Sequence, residues 1–158
     1  MQRRLITPLT LLFLFLAIPF ARADSYVPTL TYGDAKIDRH DLGSMQVIDI
    51  SITAEGAGGD AGKVSDLVLP FAVDGLVYQV ETDPGGTAPT ADYDLTLTSG
   101  GLDIMGGSLA DRSNTLTQRA FPATGSQATR GSLTLTVANQ SVASATFSVR
   151  IYYFDTGM

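Results

Sequence analysis

MQVIDISIT, Met45 to Thr53, decides the fold. Ile48, Ile50 and Ile52 occupy alternate positions, with Asp49 and Ser51 between them. A period of two puts the isoleucines on one face of an extended chain and the polar residues on the other, whereas a helix would scatter both sets around its circumference. Branching at Cβ favours the pleated surface as well. A lone half-buried strand is not stable in water, so this run demands partners of the same period.

The chain supplies them. Leu76 to Thr82 sets Leu76, Tyr78 and Val80 against Gln79 and Glu81. Tyr93 to Thr98 sets Tyr93, Leu95 and Leu97 against Asp94, Thr96 and Thr98. Ser132 to Ala138 sets Leu133, Leu135 and Val137 against Thr134 and Thr136, and Ala145 to Phe154 sets Phe147, Val149, Ile151 and Tyr153 against Ser148, Arg150 and Tyr152. Shorter candidates are Tyr26 to Tyr32, Val64 to Phe71, Leu102 to Met105 and Asn114 to Ala120. Turn-rich stretches separate them, and no ten-residue window carries helical periodicity. The pattern predicts an all-β fold: a single-domain antiparallel β-sandwich, jelly-roll or Ig-like, of seven to nine strands over 44–158. Asn139-Gln140-Ser141 divides the last two strands, which read as a hairpin with a loop longer than two residues. The same triplet matches the glycosylation sequon.

Residues 1–23 differ in kind. Arg3 and Arg4 precede an apolar run, Leu9 to Phe20, and Ala21-Arg22-Ala23 places small residues at the positions a signal peptidase reads. The run is shorter than the ~20 residues of a membrane-spanning helix. The reading is a secretory signal peptide cleaved after Ala23, which places the product outside the cytoplasm: secreted, periplasmic or at the cell surface. Residues 24–43 are less patterned and read as an N-terminal extension able to pair with a sheet edge on a neighbour. Cleavage removes three arginines and no acid, so the formal charge moves from −6 to −9. An acidic chain without a basic patch repels phosphates, so nucleic acid is not an expected partner, nor is a membrane once the leader is gone. The absence of cysteine leaves the fold to stand on its core without disulfides.

The stretch richest in candidate ligands is ETDPGGTAPTADYDLTLTSGGLDIMGG, Glu81 to Gly107. Calcium sites gather several oxygens, often from alternate acids beside a glycine turn. Asp83, Asp92 and Asp94 come nearest to such a set. Alternate positions on a strand share a face without converging, however, and the spacing is not that of an EF-hand. The structural reading is a strand–corner–strand unit: Asp83-Pro84-Gly85 forms a turn, Gly100-Gly101 reverses the chain, and Gly106-Gly107 marks a second reversal or a bulge. GAGGDAGKVS, Gly56 to Ser65, lacks the first glycine and the final Ser/Thr of a phosphate loop and the helix that would follow. His40 is the sole histidine, set in the charged run Asp38-Arg39-His40-Asp41, which leaves a His-dependent triad or zinc site poorly supplied. The expectation is a protein that is not an enzyme, with no catalytic set and no cofactor. Paired carboxylates of a glycosidase kind are the enzymatic alternative. Tyr152 points off the core face of its strand and is a candidate surface contact.

The segment VETDPGGTAPTADYDLTLTSGGLDIMGGSLADR, Val80 to Arg112, resembles a stretch of small uncharacterised β-rich proteins encoded among phage virion genes. The shared features are Asp83-Pro84-Gly85, Ala88-Pro89-Thr90, Tyr93-Asp94 and the Gly101 to Gly107 run, followed by Gly131 to Val137 and the closing strand. The resemblance implies a virion component such as decoration, tail or fibre material, and no catalytic residue. The leader is a departure from that pattern, because virions assemble in the cytoplasm. Together these readings give a structural or surface-attachment module whose partners are proteins, by self-association or surface assembly, or glycans; a carbohydrate- or calcium-binding extracellular module is the alternative. Intact-mass measurement of the exported protein checks the leader: the expected N-terminal residue is Asp24, and a mass retaining Met1 to Ala23 contradicts cleavage.

Overall fold

The computed structural model describes residues 30–32, 35–42 and 44–156; the predicted leader and the first part of the predicted extension lie outside them. Eleven strands are present among the described residues: β1 Leu30–Tyr32, β2 Ala35–Leu42, β3 Met45–Thr53, β4 Leu67–Val68, β5 Gly75–Pro84, β6 Asp94–Ser99, β7 Leu102–Asp103, β8 Gln118–Ala120, β9 Gln127–Thr129, β10 Leu133–Ala138 and β11 Thr146–Asp155. No described residue is helical. The strands form two antiparallel sheets. The larger runs β1-β2-β3-β11-β5-β8, with β9 also on β5, and the smaller runs β4-β10-β6-β7. The fold is the expected all-β sandwich.

The core follows from the alternation. Ile48, Ile50 and Ile52 of β3, Phe147, Val149, Ile151 and Tyr153 of β11, and Leu95 and Leu97 of β6 with Leu133 and Leu135 of β10 are all buried. Facing side chains of the two sheets interdigitate, as the aligned packing of sandwiches requires. The Tyr93 and Phe147 rings, one from each side, sit 5.0 Å apart between centroids. The edges are blunt: β4 and β7 have two residues each, and β1, β8 and β9 three each. Such short edges offer little ladder for stray pairing.

Three differences from the sequence reading have physical causes. First, residues 35–42, placed there in the extension, form β2 and pair with β3 from Ala35↔Ile52 to Leu42↔Met45. Their outward side is charged, which hides the inward pair Ala35 and Ile37. Second, β10 and β11 are not a hairpin. β10 pairs with β4 and β6, whereas β11 pairs with β3 and β5. The connecting loop carries the chain from one sheet to the other, with Asn139 and Ser144 both at positive φ. Alternation alone does not say which sheet an alternating strand joins. Third, Leu76, Tyr78 and Val80 do not share the core face. The β5–β11 register shifts between Tyr152 and Tyr153, so Tyr152 faces Gln79 and Tyr153 faces Val77. Tyr78 is the extra residue of a bulge. Val77 and Val80 are therefore buried, and Leu76 and Tyr78 are exposed.

The glycine-rich corner behaves as a corner. Gly100 and Gly101, at φ 56 and 84, join β6 to β7 as the two-residue turn of a hairpin, for which positive φ at both positions suits the twist. Where β5 lies against β11, Gly75 is a fit rather than a turn. A Cβ there would run into the Phe154 carbonyl oxygen and lie 3.0 Å from the Tyr153 ring. Gly75→Ala is expected to lower stability by about 2 kcal/mol or more, read from denaturant melts. Gly86→Ala, with nothing within 4 Å of the added carbon, is the matched control and is expected to leave the midpoint unchanged.

Candidate functional site

The side chains with chemistry gather on the outer face of the seven-stranded sheet. The registers Asp38↔Asp49, Asp49↔Arg150, Arg150↔Glu81 and Glu81↔Arg119 place one charged residue from each of five neighbouring strands in a single row. Arg150 Nε donates to Asp49 Oδ1 at 2.9 Å and its Nη1 donates to Glu81 Oε1 at 2.8 Å. Arg119 Nε donates to Glu81 Oε2 at 2.7 Å. Lys36 Nζ lies 3.2 Å from Asp38 Oδ2, and His40 Nε2 lies 3.9 Å from Asp49 Oδ2.

Glu81 is the central member. Its side chain is only 5% exposed, while Arg119 is 65% exposed and Arg150 37%. Burial pushes the Glu81 carboxyl up, but hydrogen bonds and charge from Arg119 and Arg150 outweigh it and hold the group below the usual glutamate range. Alternation assigned Glu81 to the wet side of its strand correctly. It could not show that two guanidinium groups close over it, because that depends on which strands become neighbours.

Two levels from the charged row, at the Leu42 end of β2, runs an apolar one. Leu42↔Met45, Met45↔Phe154 and Phe154↔Leu76 are cross-strand partners. Tyr78, pushed out by the bulge, sits edge-on to Phe154 at 5.8 Å and to Phe121 at 5.5 Å. Leu42 is 62% exposed, Phe121 51%, Tyr78 40% and Leu76 36%. Single exposed leucines are ordinary; a contiguous aliphatic and aromatic patch on an open sheet face is not. Tyr152, the predicted surface contact, belongs to the same face. It is half-buried between Val47 and Gln79 in the row that separates the charged residues from the apolar ones.

The acids proposed from sequence as calcium ligands are employed separately. Asp83 Oδ1 accepts from the Thr117 hydroxyl at 2.6 Å. Asp94 accepts from the Asp111 amide at 2.9 Å and from Asn139 Nδ2 at 2.6 Å. Asp92 is exposed with φ 58, holding a turn. Among the described residues no three His, Cys, Asp or Glu side chains come together to hold a metal ion. Asp103 takes the Met105 and Gly107 amides at 2.9 and 2.8 Å, closing the second glycine corner. Tyr93 and Tyr153 are buried, and burial pushes both phenols up to about 12, so both stay protonated near neutrality. A cleft of about 390 Å³ opens between the β2–β3 side of the large sheet and β4–β10 of the small one. Its lining is aliphatic (Ile52, Leu67, Leu135, Val137) together with Glu55, Ser65 and Asp66.

The buried carboxylate of the row gives a signed pH dependence. Because its folded value is depressed, its contribution is present above the unfolded glutamate value of ~4.3 and disappears as pH falls through the lower folded value. Glu81→Gln is expected to cost about 2 kcal/mol at pH 7, with the gap to the parent protein narrowing in melts taken below pH 4. A gap that stays constant down to acid unfolding contradicts the assignment.

No protein family matches this sequence, and no curated protein does. Among solved structures the chain is similar to a chain of the Cyanophage Pam1 capsid asymmetric unit, at 17% identity and a TM-score of 0.39, over 89% of this chain and 99% of that one.

Proposed function

We propose that this chain is a non-enzymatic structural module that works by protein contact through the outer face of its seven-stranded sheet. The observation that carries the reading is the presence on that one face, with one row between them, of an apolar row (Leu42, Met45, Phe154, Leu76, with Tyr78 and Phe121) and a neutralised charge row (Asp49, Arg150, Glu81, Arg119). Protein interfaces combine an apolar, aromatic centre with a polar rim in which arginine is favoured. A flat face of this kind suits a protein surface, whereas small ligands are held in concave sites. His40 stands on the same open face, a placement that favours contact over catalysis.

The leader-like run before Asp24 supports export, which makes the module one of a surface or extracellular assembly. The likeness of Val80 to Arg112 to proteins encoded among phage virion genes points toward assembly as well.

Hydroxyl-radical footprinting tests the reading. Tyr78, Phe121, Phe154 and Leu42 are expected to react freely in dilute purified protein and to be protected in material isolated intact from the producing cells. Equal reactivity in the two samples would falsify a contact role for this face.

A further inference from the structure

We propose that Thr82 Oγ1, Tyr93 Oη and Arg112 Nη1 form a binding site for one small monovalent anion of halide size, held between the two sheets. The site lies on the inner side of β5, away from the outer face, and does not depend on the contact role proposed above.

Strand geometry brings the three side chains together. Thr82 follows Glu81 and points the other way, into the interior with its cross-strand partner Val149. Tyr93 is fully buried, its ring 5.0 Å from that of Phe147, which stands two residues before Val149 on the same side of β11. Arg112 is the bridge partner of Tyr93 and donates its amide to the Tyr93 carbonyl at 2.7 Å. Bridge partners share a face, so the guanidinium enters the interior beside the phenol. Burial raises the Tyr93 phenol, while the Thr82 hydroxyl and then the Arg112 charge act in the opposite direction, which puts both groups close to the phenolic oxygen.

The guanidinium lacks a counter-charge. Of the lysines and arginines among the described residues, Lys36, Arg39, Lys63, Arg119 and Arg150 each meet a carboxylate, and Arg130 is exposed to water. Arg112 is the remaining one, and it is buried, at 9% exposure. Its Nε and Nη2 both donate to the Ala110 carbonyl, at 3.1 and 3.0 Å. Its Nη1 is buried without a hydrogen-bond partner among the described residues, and so are the Thr82 and Tyr93 hydroxyls. Asp83, which also acts on the phenol, accepts from the Thr117 hydroxyl at 2.6 Å and forms no ion pair with Arg112.

A guanidinium does not give up its proton, so burial leaves a full positive charge that calls for compensation. A water molecule would complete the hydrogen bonds and leave the charge. A halide does both, accepting from the two hydroxyls and from Nη1 while cancelling the charge. Protein interiors are packed too densely to admit a larger oxyanion among three such side chains without displacing them.

The experiment compares denaturant melts of the full protein in sodium chloride or bromide with melts in sodium gluconate at the same ionic strength, gluconate being too large to enter. The midpoint is expected to be higher in halide and to rise with its concentration. Tyr93→Phe and Thr82→Val each remove one hydroxyl and keep the shape of the side chain; both are expected to fold and to shrink the difference between the salts. Arg112→Met is expected to abolish it. A crystal grown in bromide is expected to show an anomalous-scattering peak beside Arg112 Nη1. Equal midpoints in halide and gluconate, a halide effect of the same size in parent and variants alike, or density at the site without an anomalous signal each overturns the inference. If Arg112→Met does not fold, the two hydroxyl variants and the bromide peak decide it.

Discussion

The structure hangs on one two-sided strand. β11 lies at the middle of the larger sheet, paired over its length with β3 on one side and β5 on the other. Its inward residues, Phe147, Val149, Ile151 and Tyr153, fill the core. Its outward residues include Arg150, which ties Asp49 of β3 to Glu81 of β5. A slip of one residue would exchange the two sets and push a guanidinium into the interior. The packing that stabilises the sandwich therefore also fixes the register of the outer face, and neither can be changed independently.

That coupling explains why a nearly buried glutamate is tolerated. Two charges taken out of water recover their desolvation only when hydrogen bonding is complete. Glu81 meets this condition with one guanidinium on each oxygen, one from β11 and one from β8. The gain lies in alignment as much as in energy. β8 has three residues and pairs with β5 at Val80 to Thr82, too short a ladder to hold itself firmly, and the Arg119 bond pins it in register. The same bonds leave the centre of the face without an uncompensated charge.

Much of the fold was legible because alternation reports burial directly. The isoleucines of β3, the threonine–leucine runs of β6 and β10 and the closing strand occupy the faces their spacing predicts. What escaped was set by neighbours rather than by the strand itself. β2 carries charge on its outward side and only a short apolar set inward, so its membership in the sheet shows only beside β3. The separation of β10 from β11 depends on a loop whose residues suit a hairpin equally well. Gln140 in that loop is one such residue: it accepts from the Thr90 amide and hydroxyl and donates to the Gly62 carbonyl, binding three loops together, and nothing in its own sequence surroundings announces this. The outer face of the larger sheet was legible strand by strand, with Asp49, Glu81, Arg150 and Tyr152 on the polar sides of their alternations, but not as one surface. Its members come from five strands and a bulge and become adjacent only once the sheet order is known.

The bulge has a further consequence for how this surface can change over time. Tyr78 is the one residue of β5 that the ladder passes over: Val77 and Gln79 face consecutive residues of β11, Tyr153 and Tyr152. The aromatic side chain most central to the patch thus occupies a position with no duty in backbone pairing and none in the interior. Lineages can trade it, or drop it, while the rest of the strand keeps its phase. The outer surface can in this way be altered at Tyr78 without a change to the architecture beneath.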